Sequence, residues 1–110
     1  MTFDEYQKQA LTTAVNTYDP LTAKTIWAMG VAGEAGEVVE KWKKIIAYKD
    51  GVVSAEDRDD LAKELGDVVW YIAVMAHDLG LSLEDVMQRN VEKLKSRQVR
   101  GVIKGKGDNR

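Results

Sequence analysis

Apolar residues return at helical intervals through most of the chain, and four segments stand out. Phe3, Tyr6, Ala10, Ala14 and Tyr18 recur every three or four residues behind Thr2, and Glu5 supplies the other half of a capping box. This spacing predicts a first helix that ends near Asp19-Pro20. The same dipeptide is a good start for a second helix, because the aspartate can accept from an orphan N–H and proline loses no hydrogen bond at the first helical position. The second helix is predicted to reach about Tyr48, where Lys49 to Val53 contains the turn signal Asp50-Gly51. Ser54, with Asp57 three residues on, opens a third helix to about Leu79. Gly80 suits the left-handed position that closes a helix, and Ser82 with Asp85 opens a fourth, striped by Leu83, Val86, Met87, Val91 and Leu94.

Gly30, Gly33 and Gly36 interrupt the second segment, each costing about 1 kcal/mol relative to alanine in a helix interior. Either the segment breaks into two helices, or its glycines admit something that approaches the backbone closely. Short connections imply antiparallel neighbours. The expected fold is all-α: a four-helix protomer with a central antiparallel helical hairpin, one domain over residues 1–100 and a basic, glycine-rich tail over 101–110. That tail, GVIKGKGDNR, either stays outside the fold or closes over a ligand. A chain of 110 residues buries roughly two-thirds of its unfolded surface. The resulting core is thin, and assembly into a helical-bundle dimer or tetramer would enlarge it.

Charge narrows the partners. Sixteen basic residues against eighteen acidic give a net charge of −2, which supplies no general field for nucleic acid or a membrane surface. Cysteine is absent, which removes disulfides, thiolate metal sites and a thiol nucleophile. The amino-terminal MTFDEYQKQ lacks the basic and apolar regions of a signal peptide. The longest apolar run, Val68 to Ala76, is far shorter than the ~20 residues of a membrane helix, so a cytoplasmic protein is expected.

The candidate chemistry lies in paired carboxylates. Glu34 and Glu37 are one turn apart on the second helix, and Glu64 and Asp67 one turn apart on the third. In an antiparallel hairpin, residues at one height are mirror images about the turn. Glu34 mirrors Asp67 and Glu37 mirrors Glu64 about one midpoint, between Asp50 and Gly51, where the turn signal already stands. Glu40 mirrors the apolar Leu61 and ranks below them. Glu34 shares a helix sector with Trp27, Val38 and Ile45, and Asp67 is flanked by Trp70, Tyr71 and Val74, so desolvation of these acids calls for a cation. All candidate ligands are hard oxygens, with His77 the one nitrogen donor, which favours Mg²⁺ or Mn²⁺. Gly33, Gly36 and Gly66 would leave room for a metal-bound phosphate. In the competing reading these acids form solvated faces, with Glu37–Lys41 and Glu40–Lys44 as i,i+4 pairs.

The segments GEAGEVVE and KELGDVVWYI, joined by a turn, resemble the MazG-like nucleoside triphosphate pyrophosphohydrolases, whose signature is E-x-x-E followed by E-x-x-D. The resemblance covers about residues 20 to 100. It implies that Glu34, Glu37, Glu64 and Asp67 bind Mg²⁺ and that a nucleoside triphosphate is cut between its α and β phosphates into a monophosphate and pyrophosphate. Bound ions would neutralise the triphosphate and lower the pKa of an attacking water, with Glu37 the candidate to take its proton. The resemblance extends through Asn90, Lys93 and Arg97, which share a face of the fourth helix and would line a phosphate wall, with Lys44 and Lys43 as further candidates. Homodimers or homotetramers are common in such families. Trp27, Trp42 and Trp70 are expected in the core, and His77 is read as structural. The alternative function is a non-catalytic helical oligomeric interaction module that retains an acidic cluster. A ferritin-like di-iron site is disfavoured, because the chain has one histidine and no Glu-x-x-His motif.

Overall fold

A computed structural model describes residues 1–110 as four α-helices with no strands: α1 (Phe3–Thr12), α2 (Pro20–Lys49), α3 (Ala55–Asp78) and α4 (Leu83–Val99). Every start signal acts as expected. Thr2 with Glu5 and Ser54 with Asp57 form reciprocal capping boxes, Asp19 caps α2 ahead of Pro20, and Ser82 accepts from the Asp85 N–H. Gly80 takes a left-handed φ of 75°, closing the turn between α3 and α4.

The first helix ends earlier than its spacing predicts, at Thr12 rather than near Pro20. Local side-chain hydrogen bonds compete with the helix there: the Thr12 and Thr13 hydroxyls donate to Gln9 and Ala10 carbonyls, and Asn16 bonds both the Ala14 carbonyl and the Tyr18 N–H. Tyr18 is left exposed rather than part of an apolar face. The second helix, by contrast, stays continuous for 30 residues despite its glycines. Gly30 is required by a close approach, since an added Cβ would run into the Tyr71 ring, whereas Gly33, Gly36 and Gly66 face open space.

The antiparallel pair α2 and α3 forms the spine, tied at one end by Lys49 to Asp57 and at the other by the Trp27 indole, which donates to Asp78. The core is small: Ala10, Ala23, Trp27, Ala73, Val74 and Leu83, with Trp70 and Tyr71 packed against it. One buried polar residue locks three helices together. Gln7 donates to the carbonyls of Ala73 and Leu81 and accepts from the Leu83 N–H, all at 3.0–3.1 Å. Beyond Met87, which packs on the core, Val91 and Leu94 of α4 are exposed, so the stripe expected to bury them has no partner within the protomer. Trp42, expected in the core, is also 46% exposed. The radius of gyration is 16.9 Å, well above the roughly 13 Å of a compact domain this long.

Candidate active site

Three of the four acids singled out from the sequence converge midway along the α2–α3 spine. Carboxylate oxygens of Glu34, Glu64 and Asp67 all lie within 4.8 Å of one another. Partial desolvation, then the negative charges of Asp67, Glu64 and Glu37, push the Glu34 carboxyl above the ordinary carboxylate range. Such a set repels itself, and a cation would relieve that repulsion. Glu37 stands outside the trio and is exposed.

The reason lies in helix geometry. A step of three residues turns the side chain by about 60°, whereas a step of seven returns it almost to the same line. Trp27, Glu34 and Lys41 therefore share one line along α2, while Glu37 lies about 60° around it, on the line of Gly30. Lys41 takes the mirror place expected for Glu37, its Nζ 3.0 Å from Glu64 Oε1, and that hydrogen bond holds its ammonium above the ordinary lysine range. Of the i,i+4 pairs in the competing reading, Lys44 does reach Glu40, at 3.7 Å, while Lys41 pairs across the hairpin.

An open cleft of about 330 Å³ adjoins the trio, lined by Thr13, Glu34, Asp67, Trp70 and Tyr71. Trp70 and Tyr71 meet edge to face at 4.9 Å, and Trp70 does the same with Trp27 at 5.7 Å, while the Trp70 indole donates to the Thr13 hydroxyl. The sequence set Trp70 and Tyr71 beside Asp67 but as packing residues, and it did not bring Thr13 to the site. Their signal was present in part, because Trp70 and Tyr71 follow Asp67 by three and four residues and so share its face.

Residues 22–101 match the family model described as the MazG nucleotide pyrophosphohydrolase domain. The chain belongs to this family. It is 49% identical over its whole length to the full length of the Gene 37 protein of Mycobacterium phage L5. Over 39% of this chain and 41% of the relative, it is also 49% identical to Uncharacterized protein YvdC of Bacillus subtilis (strain 168). No solved structure matches.

In this MazG domain the fourth-helix residues sit apart from the α2 acids, since α4 contacts α1 and α3 but not α2. Asn90 and Lys93 line an open groove with Leu81, Val86 and Arg89. Arg97 is buried under the carboxy-terminal tail, where its guanidinium donates to the Asp108 carbonyl at 2.6 Å and, with Lys93, pairs with the Asp108 carboxylate. Those two cations hold the Asp108 carboxyl below the usual carboxylate range. The tail thus folds back on α4, secured further by Arg100 and Arg110 bonds to tail carbonyls. Lys44 faces a second cleft with Lys41 and Lys49 at the turn end of the spine. His77 is exposed in the last turn of α3.

Proposed function

We propose that this MazG domain hydrolyses nucleoside triphosphates, whether ribo, deoxy or altered in the base, to the monophosphate and pyrophosphate in a reaction dependent on Mg²⁺ or Mn²⁺. The observation that carries the reading is the convergence of Glu34, Glu64 and Asp67 oxygens to within 4.8 Å, in a chain of this family. The residues fit a hard divalent cation: all three donors are carboxylates, they repel one another without a counter-charge, and a lysine ammonium already serves as a stand-in. Glu34, Glu64 and Asp67 would hold it, with Glu37 joining as a fourth ligand or through a water. A divalent ion there draws charge from the triphosphate and acidifies a bound water.

The chain's own residues do the rest. Glu37, free of the trio and near it, is placed to accept the proton of the attacking water, since a carboxylate not fully engaged by metal remains the better base. Lys44 holds substrate phosphate from the turn end of the spine, and Asn90 and Lys93 offer a phosphate wall on α4, with Arg97 behind them beneath the Asp108 tail. Because α4 stands clear of α2, that wall serves best against the acids of a second copy.

Assembly into a homodimer or homotetramer belongs to the same reading. The protomer exposes 8054 Å², about 2,000 Å² more than a compact 12.3 kDa monomer, which is the order of an obligate interface. Leu21, Ala28, Ala35, Val39, Trp42 and Ile46 form an exposed stripe along α2 at coiled-coil intervals, turned away from α3. No helix is long and apolar enough to cross a membrane, and nucleotide clearance in the cytoplasm fits such a protein.

Incubation with a panel of nucleoside triphosphates and Mg²⁺, with products separated by ion exchange, tests the reading. Pyrophosphate and a monophosphate are expected, and Glu37→Gln and Asp67→Asn should each abolish turnover while the helical circular dichroism persists. Near-normal rates in both variants would refute the site assignment. No release from any nucleotide, with no Mg²⁺ effect on melting, would favour the non-catalytic interaction module.

A further inference from the structure

The acidic trio is joined to a second cleft by one side chain, Lys41. On one side its Nζ pairs with Glu64, which is only 16% exposed and belongs to the trio. On the other it lines a cleft of about 370 Å³ with Lys44, Ile45, Tyr48, Lys49, Asp57 and Asp60. Most charges in and beside that cleft are already paired, Asp60 loosely with Lys63 at 3.9 Å. Lys49 is held by Asp57 at 2.6 Å, and Glu40 is taken by Lys43 at 2.9 Å, which leaves Lys44 with a long 3.7 Å pairing to the same carboxylate. Lys44 is therefore loosely engaged, and Lys41 is committed to Glu64 alone.

We propose that Lys41 is a displaceable internal counter-ion: it neutralises Glu64 while the carboxylates hold no metal, and when a divalent ion takes Glu64 it turns to the neighbouring cleft and, with Lys44, holds a phosphate group. The inference rests on the metal-binding reading above. A divalent ion on Glu64 loosens the hold of Lys41, because it draws charge from the shared carboxylate and repels the ammonium at close range. A lysine suits the exchange, since its flexible stem carries a point charge that reorients about several rotatable bonds. A tethered ammonium also limits the cost of assembling three acids before the ion arrives, and its release supplies a phosphate ligand only once the site is loaded. Ligands of the cleft are phosphate oxyanions, either the terminal phosphates of the substrate or the pyrophosphate product.

The test uses the full chain, with Mn²⁺ as the metal and pyrophosphate as the anion, both followed by titration calorimetry. Removing the competitor by Lys41→Met should tighten Mn²⁺ binding about fivefold, the scale of a partly exposed ion pair. The same variant should bind pyrophosphate more weakly in saturating Mn²⁺. Lys41→Arg, which keeps the charge, should return Mn²⁺ affinity toward that of the unaltered chain. In metal-free buffer Lys41→Met should melt lower than the unaltered chain, and saturating Mn²⁺ should close that gap. Unchanged Mn²⁺ affinity in Lys41→Met, or unchanged pyrophosphate affinity in saturating Mn²⁺, would overturn the exchange while leaving the metal site standing. An unaltered chain that binds no Mn²⁺ would overturn both.

Discussion

Gln7 is the residue whose replacement should cost this fold the most for its size. Its amide makes three hydrogen bonds at 3.0–3.1 Å to the Ala73 and Leu81 carbonyls and the Leu83 N–H, and the side chain is 7% exposed. Gln7→Met keeps the length and apolar stem of the side chain but removes all three. The Ala73 carbonyl lies within α3 and keeps its helical partner, so its loss is small. The Leu81 carbonyl and the Leu83 N–H sit where the chain turns into α4; leaving the buried N–H unsatisfied costs about 1–3 kcal/mol and the part-buried carbonyl about 1 kcal/mol. The expected destabilisation is therefore about 2–4 kcal/mol, a large share of the 5–15 kcal/mol typical of a domain. At about 4 °C per kcal/mol this lowers the melting temperature by about 8–16 °C. Thermal unfolding followed by far-UV circular dichroism, at one fixed protein concentration, reads the shift. Gln9→Met, at an exposed position two residues on, serves as the control and should stay within about 0.5 kcal/mol. Equal melting of Gln7→Met and the control would show that α1 is not held by this amide. The consequence reaches the site, because α1 leads into Thr13, whose hydroxyl accepts the Trp70 indole at the cleft edge.

Four further outcomes follow from the geometry. Glu34→Gln removes the carboxyl that desolvation and three neighbouring acids hold above its ordinary pKa, so the metal-free protein should melt higher and its Mg²⁺-induced shift should vanish; lower melting would contradict the repulsion. For the same reason the Mg²⁺-induced shift of the unaltered chain should grow as pH rises past the ordinary 4.5, because ionisation of Glu34 opposes folding without metal and assists its binding. Asp57, lowered to about 2 by Lys49 and then by the Ser54 N–H, has the opposite sign: its stabilisation is complete above 3.8 and disappears as pH falls through about 2. Asp57→Asn should flatten the acid limb of a melting-versus-pH curve, and an unchanged limb would count against this ion pair. Val39→Asp or Ile46→Asp, on the exposed α2 stripe, should shift sedimentation equilibrium toward the protomer, and an unaltered mass would exclude that face from the interface.

How much the sequence settled depended on how local each interaction is. Caps, turns and termini are decided within three or four residues, and so the starts of all four helices, the Gly80 turn and the antiparallel spine were legible before any coordinates. The mirror relation about Asp50-Gly51 also placed Glu34 at the level of Asp67, with Glu64 one turn away, because hairpin register follows from the position of its turn. The early end of α1 was local too, but its signal was a competition between threonine and asparagine hydrogen bonds and an apolar spacing that still read as helix. What the tertiary structure decided was rotation and closure. Lys41 rather than Glu37 meets Glu64 because the rotation of α2 against α3 is set by packing of Trp27, Tyr71 and the core, which spacing alone does not resolve. The Gln7 bonds and the Asp108 latch on Arg97 join residues whose proximity no local rule encodes, since each depends on where whole helices or the tail come to rest.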